Sequence, residues 1–145
     1  MKLPDVNLLL YAVDEESPSH DGACEWLEAV LSGTEAVAFS WMALLGFLRI
    51  STNPAAIDRP LSPEDALTHI DEWLAQPVAT VINPTDAHAA TLRRLLQPLG
   101  TAGNLTTDAH LAALAIEHGA EVCSSDNDFA RFEGLRWSNP LLAES

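Results

Sequence analysis

The stretch from Leu3 to Ala12 is apolar apart from Asp5 and Asn7 and alternates little, so it predicts a buried strand running into its exit loop or a following helix. After the Glu-Glu-Ser-Pro-Ser turn, Ala23, Trp26, Leu27, Val30 and Leu31 recur at helical spacing and predict a helix over 19–31. Glu35 to Phe39 predicts a short strand. Ser40 then stands as N-cap to Trp41–Arg49, which is apolar nearly all round and must be buried. Thr52-Asn53-Pro54 breaks that helix. Ser62-Pro63-Glu64-Asp65 carries the cap, the N1 proline and the first-turn acids of the next, which runs to about Gln76.

Val78 to Ile82 predicts a third strand, and Thr85 a cap for a helix through Ala89, Leu92, Leu95 and Leu96 that stops near Gly100. A further helix opens at Thr106-Thr107 with Ala109, Ala112, Ala113 and Ile116, and ends at His118-Gly119. Glu121 to Ser124 is a fourth strand, and Leu135 to Ser138 is an edge strand before Pro140. Strands alternate with helices of about 10 to 15 residues, which argues for a single α/β domain over 1–145 with a central, mostly parallel sheet flanked by helices. In that architecture ligands bind at the carboxyl ends of the strands.

Composition narrows the picture. With 48% hydrophobic residues and few aromatics, the core must be built from Leu, Ala, Val and Ile. The longest apolar stretches fall far short of the ~20 residues of a membrane span, and a signal-peptide layout is missing, so a cytoplasmic, membrane-free protein is expected. Cys24 and Cys123 read as reduced thiols. His20 and Cys24 have metal-compatible spacing, but no second pair completes a zinc site. The net charge of −14, from 21 acids against seven cations, repels nucleic acid at long range; any phosphate chemistry needs a local offset.

Four acids supply a candidate for that offset. Asp5 interrupts an apolar strand, where an unpaired buried carboxylate costs several kcal/mol. Asp126 and Asp128 follow the fourth strand, and Asp108 lies in the first turn of the helix leading into that strand, so the fold can bring all four to one edge. Taken singly, a first-turn Asp is explained by the helix dipole and an Asp-Asn-Asp run by turn formation. Together they fit a divalent cation, with magnesium the best match to hard carboxylate oxygens. A receiver-like phosphoacceptor would also use clustered aspartates, but the sole lysine, Lys2, is in the wrong place for it.

Leu3-Pro-Asp-Val-Asn-Leu-Leu-Leu-Tyr-Ala, "WMALLGFLRIST" over 41–52 and "GNLTTDAHLAALAIEHGAEVCSSDNDFARFEGLRW" over 103–137 together resemble the PIN-domain ribonucleases, more narrowly the VapC-type toxins of bacterial toxin–antitoxin pairs. The resemblance implies a PIN-like three-layer fold and a Mg2+-dependent endoribonuclease, with Mn2+ as a substitute metal, that cuts structured RNA such as a tRNA or rRNA loop. It makes Asp5, Asp108 and Asp126 the catalytic metal acids and Asp128 an additional one, with Asn7 and Ser124 supporting them. It also implies a VapB-like antitoxin partner that inserts an Arg into the acidic site, a homodimer, and no DNA recognition by this chain alone. Arg49, Arg131 and Arg136 are the expected RNA or phosphate contacts. His110 and His118 are expected to pack or cap. The family's usual second-helix Glu is replaced by Ala43, and residues 36–57 contain no acid, which leaves the number of metal ions open and keeps a non-catalytic, PIN-like binding module as the alternative.

Overall fold

In the computed structural model, which describes residues 1–142, the backbone amides and carbonyls of five very short strands form one parallel sheet. The strands are β1 (Lys2–Pro4), β2 (Val37–Phe39), β3 (Ala79–Val81), β4 (Glu121–Cys123) and β5 (Trp137–Ser138), in the order β3-β2-β1-β4-β5. Register places Leu3 opposite Val122 and Ala38 opposite Thr80. Alternate residues feed opposite faces, as the pleat requires. Leu3, Ala38 and Val122 join one apolar cluster, and Val37 and Phe39 join another.

The second cluster is covered by α1 (Val6–Val13), α2 (His20–Leu31), α3 (Trp41–Ser51) and α4 (Pro63–Leu74). At its centre Phe47 meets the Trp73 ring edge-on, with centroids 4.9 Å apart. The first cluster lies under α5 (His88–Leu96) and α6 (Thr106–His118), whose alanines 109, 112, 113 and 115 let α6 sit close on the sheet. The three-layer arrangement expected from the sequence is therefore present. No helix among the described residues is long and apolar enough to cross a membrane.

One boundary that the sequence left open is resolved, and one helix start differs from expectation. The apolar run from Leu3 to Ala12 is a three-residue strand followed by a helix: Pro4 has no N–H to continue the ladder, and Asp5 turns the chain by accepting the Val6 N–H at 2.8 Å as the N-cap of α1. A run apolar on every side carries no period, so its strand and helix portions cannot be separated by pattern. Thr85, expected to cap the next helix, stands ahead of it; α5 starts at His88 after Ala87 and has no side-chain cap. Ser40 and Ser62 do cap α3 and α4, accepting the amides of Ala43 and Asp65. Gly119 ends α6 with φ of 69°, a left-handed turn that a side chain would strain.

The strand order reverses between β1 and β4, because the chain winds outward through β2 and β3 before returning past α6. A crevice forms at such a switch point, beyond the carboxyl ends of the two central strands. Asp5 follows β1 directly and Ser124 follows β4.

Candidate active site

The backbone delivers four acids to this crevice from three segments. Asp5 caps α1, Asp108 occupies the first turn of α6, and Asp126 caps the short 3-10 turn Asn127–Arg131, accepting the Asp128 amide at 2.9 Å. Carboxylate oxygens of Asp108, Asp126 and Asp128 all lie within 4.8 Å of one another. Asp5, Asp108 and Asp126 line a cavity of about 190 Å³, walled by Val6, Met42 and Ala43 with Arg49 at its edge.

A buried hydrogen-bond network holds this arrangement. Asp5 is only 6% exposed, and one of its oxygens receives the Ser124 hydroxyl at 2.8 Å. Ser124 Oγ, itself fully buried, accepts from Asn7 Nδ2 at 3.0 Å and from the Asp126 amide at 3.0 Å. Asn7 Oδ1 takes the Ser125 amide at 3.3 Å, tying α1 to the loop after β4. One serine hydroxyl thus fixes the relative positions of the first and third acids. Gly46 lets α3 approach the mouth of the site, since a Cβ there would come 3.2 Å from Val6 Cγ2.

Like charge dominates the electrostatics. Burial pushes the Asp5 carboxyl above its usual range, hydrogen bonds from Ser124 and Val6 pull it back in part, and Asp126 adds to the rise. Asp108 is pushed up to about 7, first by burial and then by the charges of Asp126 and Asp5, with a hydrogen bond to Asp126 and the charge of Asp128 adding to it. Acids crowded in this way favour either a proton or a cation between them. The donor set is hard carboxylate oxygen throughout, so Asp108, Asp126 and Asp128, with Asp5 on the same cavity, fit a small divalent ion such as magnesium or manganese.

The arginines divide. Arg49, exposed in the last turn of α3, lines the acidic cavity. Arg131 lies 3.8 Å from Asp128. Arg136 is not brought to the site: its guanidinium donates to the Gly119 carbonyl at 2.6 Å, capping α6 at the opposite end of β4. Lys2 is at that far end too, 3.2 Å from Glu121. His118 bonds the Asn83 carbonyl at 2.7 Å, tying the end of α6 to the loop after β3. His20 contacts the Tyr11 carbonyl and Cys24 the Ala12 carbonyl, so each has a backbone partner in place of a shared metal.

A second polar cluster escaped the sequence. Glu117 accepts from the amide and hydroxyl of Thr85 and from His88 Nδ1, and His88 Nε2 lies 2.9 Å from His110 Nδ1. Burial and His88 together hold His110 below the ordinary histidine range, against the pull of Glu117. This array joins the start of α5 to α6. The spacing from His110 to Glu117 puts both on one helix face, but their partner His88 lies on another helix, invisible to any local pattern.

Comparison with known proteins agrees with this geometry. The PIN domain family matches residues 2–135. Ribonuclease VapC37 of Mycobacterium tuberculosis is 49% identical over 140 residues, covering 97% of each chain. Ribonuclease VapC33 of the same species is 44% identical over 141 residues, covering 97% of this chain and 99% of the relative. Among solved structures, VapBC2 from Rickettsia felis bound to a promoter DNA fragment superposes with a TM-score of 0.70 at 19% identity, covering 95% of this chain and 97% of that one. DNA-bound VapBC from Salmonella typhimurium superposes at 0.67 with 18% identity, covering 96% and 97%. The switch-point acids, the parallel sheet and these matches along nearly the whole chain agree: the chain belongs to the PIN-domain family, in its VapC-type branch.

Proposed function

We propose that this chain is the toxin of a toxin–antitoxin pair, a divalent-metal-dependent endoribonuclease that cuts structured RNA at a tRNA or rRNA loop. The observation that carries the reading is the convergence of Asp5, Asp108, Asp126 and Asp128 at the switch point of the sheet. The relatives named ribonuclease VapC, at up to 49% identity, support RNA as the substrate.

Asp108, Asp126 and Asp128, with Asp5, would hold Mg2+ or Mn2+, which when bound polarises a phosphoryl oxygen and lowers the pKa of a bound water. The chain's own residues do the rest. Ser124 and Asn7 keep Asp5 and Asp126 oriented, so no reorganisation is needed as charge develops on the phosphate. Arg49 at the cavity edge and Arg131 beside Asp128 offer cationic contacts to flanking phosphates, the local offset that a chain of net charge −14 requires.

The partner is a VapB-like antitoxin, as the VapBC complexes among the structural neighbours support. Exposed Leu45 and Leu67 line an apolar groove beside the acidic cavity, with Arg49 common to both, which suits an antitoxin segment that covers apolar surface and closes the site. A homodimer of this chain completes the assembly.

The test is cleavage of total bacterial RNA by purified, antitoxin-free protein with Mg2+, with Mn2+ and with chelator, mapping new 5′ ends. The nuclease gives a few metal-dependent cuts that vanish in Asp5→Ala and Asp126→Ala while circular dichroism stays native. No cut with either metal would favour the binding-module reading, for which Ala43, 2% exposed on the wall of the cavity, is the specific observation.

A further inference from the structure

Residues 87–107 contain neither Asp nor Glu, and their only fixed charges are Arg93 and Arg94. In a chain with 21 acids against seven cations, this makes α5 and the approach to α6 a local cationic surface. Both arginines are exposed, because Leu92, Leu95 and Leu96 take the inward face of α5. Among the described residues neither forms an ion pair, whereas Lys2, Arg59 and Arg131 each do. The dipole at the end of α5 favours a cation in its last turn, but it does not explain where the fold puts these two.

The fold brings them to the acidic crevice. His88 in the first turn of α5 meets Glu117 in the last turn of α6, so the two helices run antiparallel. Six residues on from His88, at about 1.5 Å each, Arg94 lies about 9 Å back along α6, toward the end that carries Asp108. Arg94 also rests on the turn that leaves the site: its Nη1 is 3.9 Å from where a Cβ on Gly134 would stand. Arg131 precedes Gly134 in that turn and lies 3.8 Å from Asp128. From the acids the surface therefore passes to Arg131, then to Arg94 and Arg93. Arg49 stands on the other side of the acids, on α3, which belongs to the layer across the sheet. Glu133, exposed beside Gly134, is the one acid in the chain between Arg131 and Arg136.

We infer that Arg131, Arg94 and Arg93 form a track for the phosphates of the RNA strand on one flank of the cut, with Arg49 holding the other flank. The ligand is a flexible single-stranded phosphodiester backbone, held by charge and by guanidinium forks and not by its bases. The inference rests on the proposal that this chain acts on RNA. Continuity with the metal acids favours RNA over an acidic peptide, since a strand with one phosphate at the metal must leave across one of these two layers. The track supplies attraction that a net charge of −14 otherwise denies the substrate.

The test titrates full-length protein into a fluorescent oligouridylate of about 12 nucleotides. Anisotropy is followed in chelator, so that nothing is cut, between about 50 and 200 mM salt. Arg94→Gln and Arg93→Gln should each weaken binding about three- to fivefold and flatten the slope of log affinity against log salt by about 0.7. Arg94→Lys keeps most of both, and Glu133→Gln tightens binding about twofold. Arg59→Gln removes the same charge from the α1–α4 layer and changes neither. If wild type binds in this way yet cuts no RNA with either metal, the track stands and the nuclease reading falls. If metal-dependent cuts occur while Arg94→Gln and Arg93→Gln bind and cut as wild type does, the nuclease stands and the track is overturned. An equal loss with Arg59→Gln, or an oligoglutamate of the same length bound as tightly as the RNA, would overturn it too.

Discussion

Asp108→Asn should stabilise the metal-free protein at neutral and alkaline pH. The carboxyl is pushed from 3.8 to about 7 by burial and by Asp126 and Asp5, so the folded chain binds more protons than the unfolded chain between those values. Stability therefore falls as pH rises through this window; the penalty is absent below about pH 4 and complete above about pH 7. Roughly three units at 1.36 kcal/mol each bound it near 4 kcal/mol, and solvent screening of the half-accessible Asp108 reduces this to about 1–2 kcal/mol. Asparagine removes the charge yet retains a donor for Asp126. Urea unfolding in chelator at pH 8 and pH 4.5 measures it: Asp108→Asn is more stable by about 1–2 kcal/mol at pH 8, and the gap shrinks toward zero at pH 4.5. Saturating Mn2+ should reverse the order, because binding to the native state offsets repulsion in the wild type and does so less in the variant. An Asp108→Asn protein no more stable than wild type at pH 8, or a gap independent of pH, would show that repulsion does not govern this site.

Ser124→Ala strands the Asp5 carboxylate, the Asn7 amide and the Asp126 N–H, so it should cost about 1–3 kcal/mol in urea unfolding and weaken Mn2+ binding in calorimetry by about 10- to 100-fold. Glu117→Gln puts an amide where three donors converge and should cost about 1–3 kcal/mol at pH 7. Burial works upward on Glu117, but hydrogen bonds from Thr85 and His88 outweigh it and hold its carboxyl below 4.5; that stability is present above pH 4.5 and lost as pH falls, so the difference from wild type should narrow in acid denaturation. Phe47→Ala empties the centre of the α1–α4 layer and should cost about 3–5 kcal/mol, read as a shift in urea midpoint with unchanged slope.

Much of this architecture can be read from local text because its causes are local. Ser40 and Ser62 start their helices by accepting an amide three residues on, and Gly119 ends α6 because its backbone turns left-handed there. Asp5 stood out because an acid in an apolar run needs a reason, and Asp126 and Asp128 because they follow a strand end. Asp108 is reached from its place in the first turn of the helix leading into that strand, and the family text added Asn7 and Ser124 to the set. By contrast, where the strand in Leu3–Ala12 gives way to helix is fixed by Pro4 and Asp5 acting on a backbone whose apolar surroundings erase periodicity.

What remained hidden depends on which elements become neighbours. Arg136 was assigned to the acidic edge by closeness in sequence, yet β5 runs parallel to β4, which puts Arg136 at the start of the strands with Gly119. His88, His110 and Glu117 meet only because α5 lies on α6. A side chain's type and its own helix or strand follow from near neighbours along the chain. Its electrostatic environment is set by groups tens of residues away, which is why the rise of Asp108 to about 7 belongs to the assembled switch point and not to any segment that forms it.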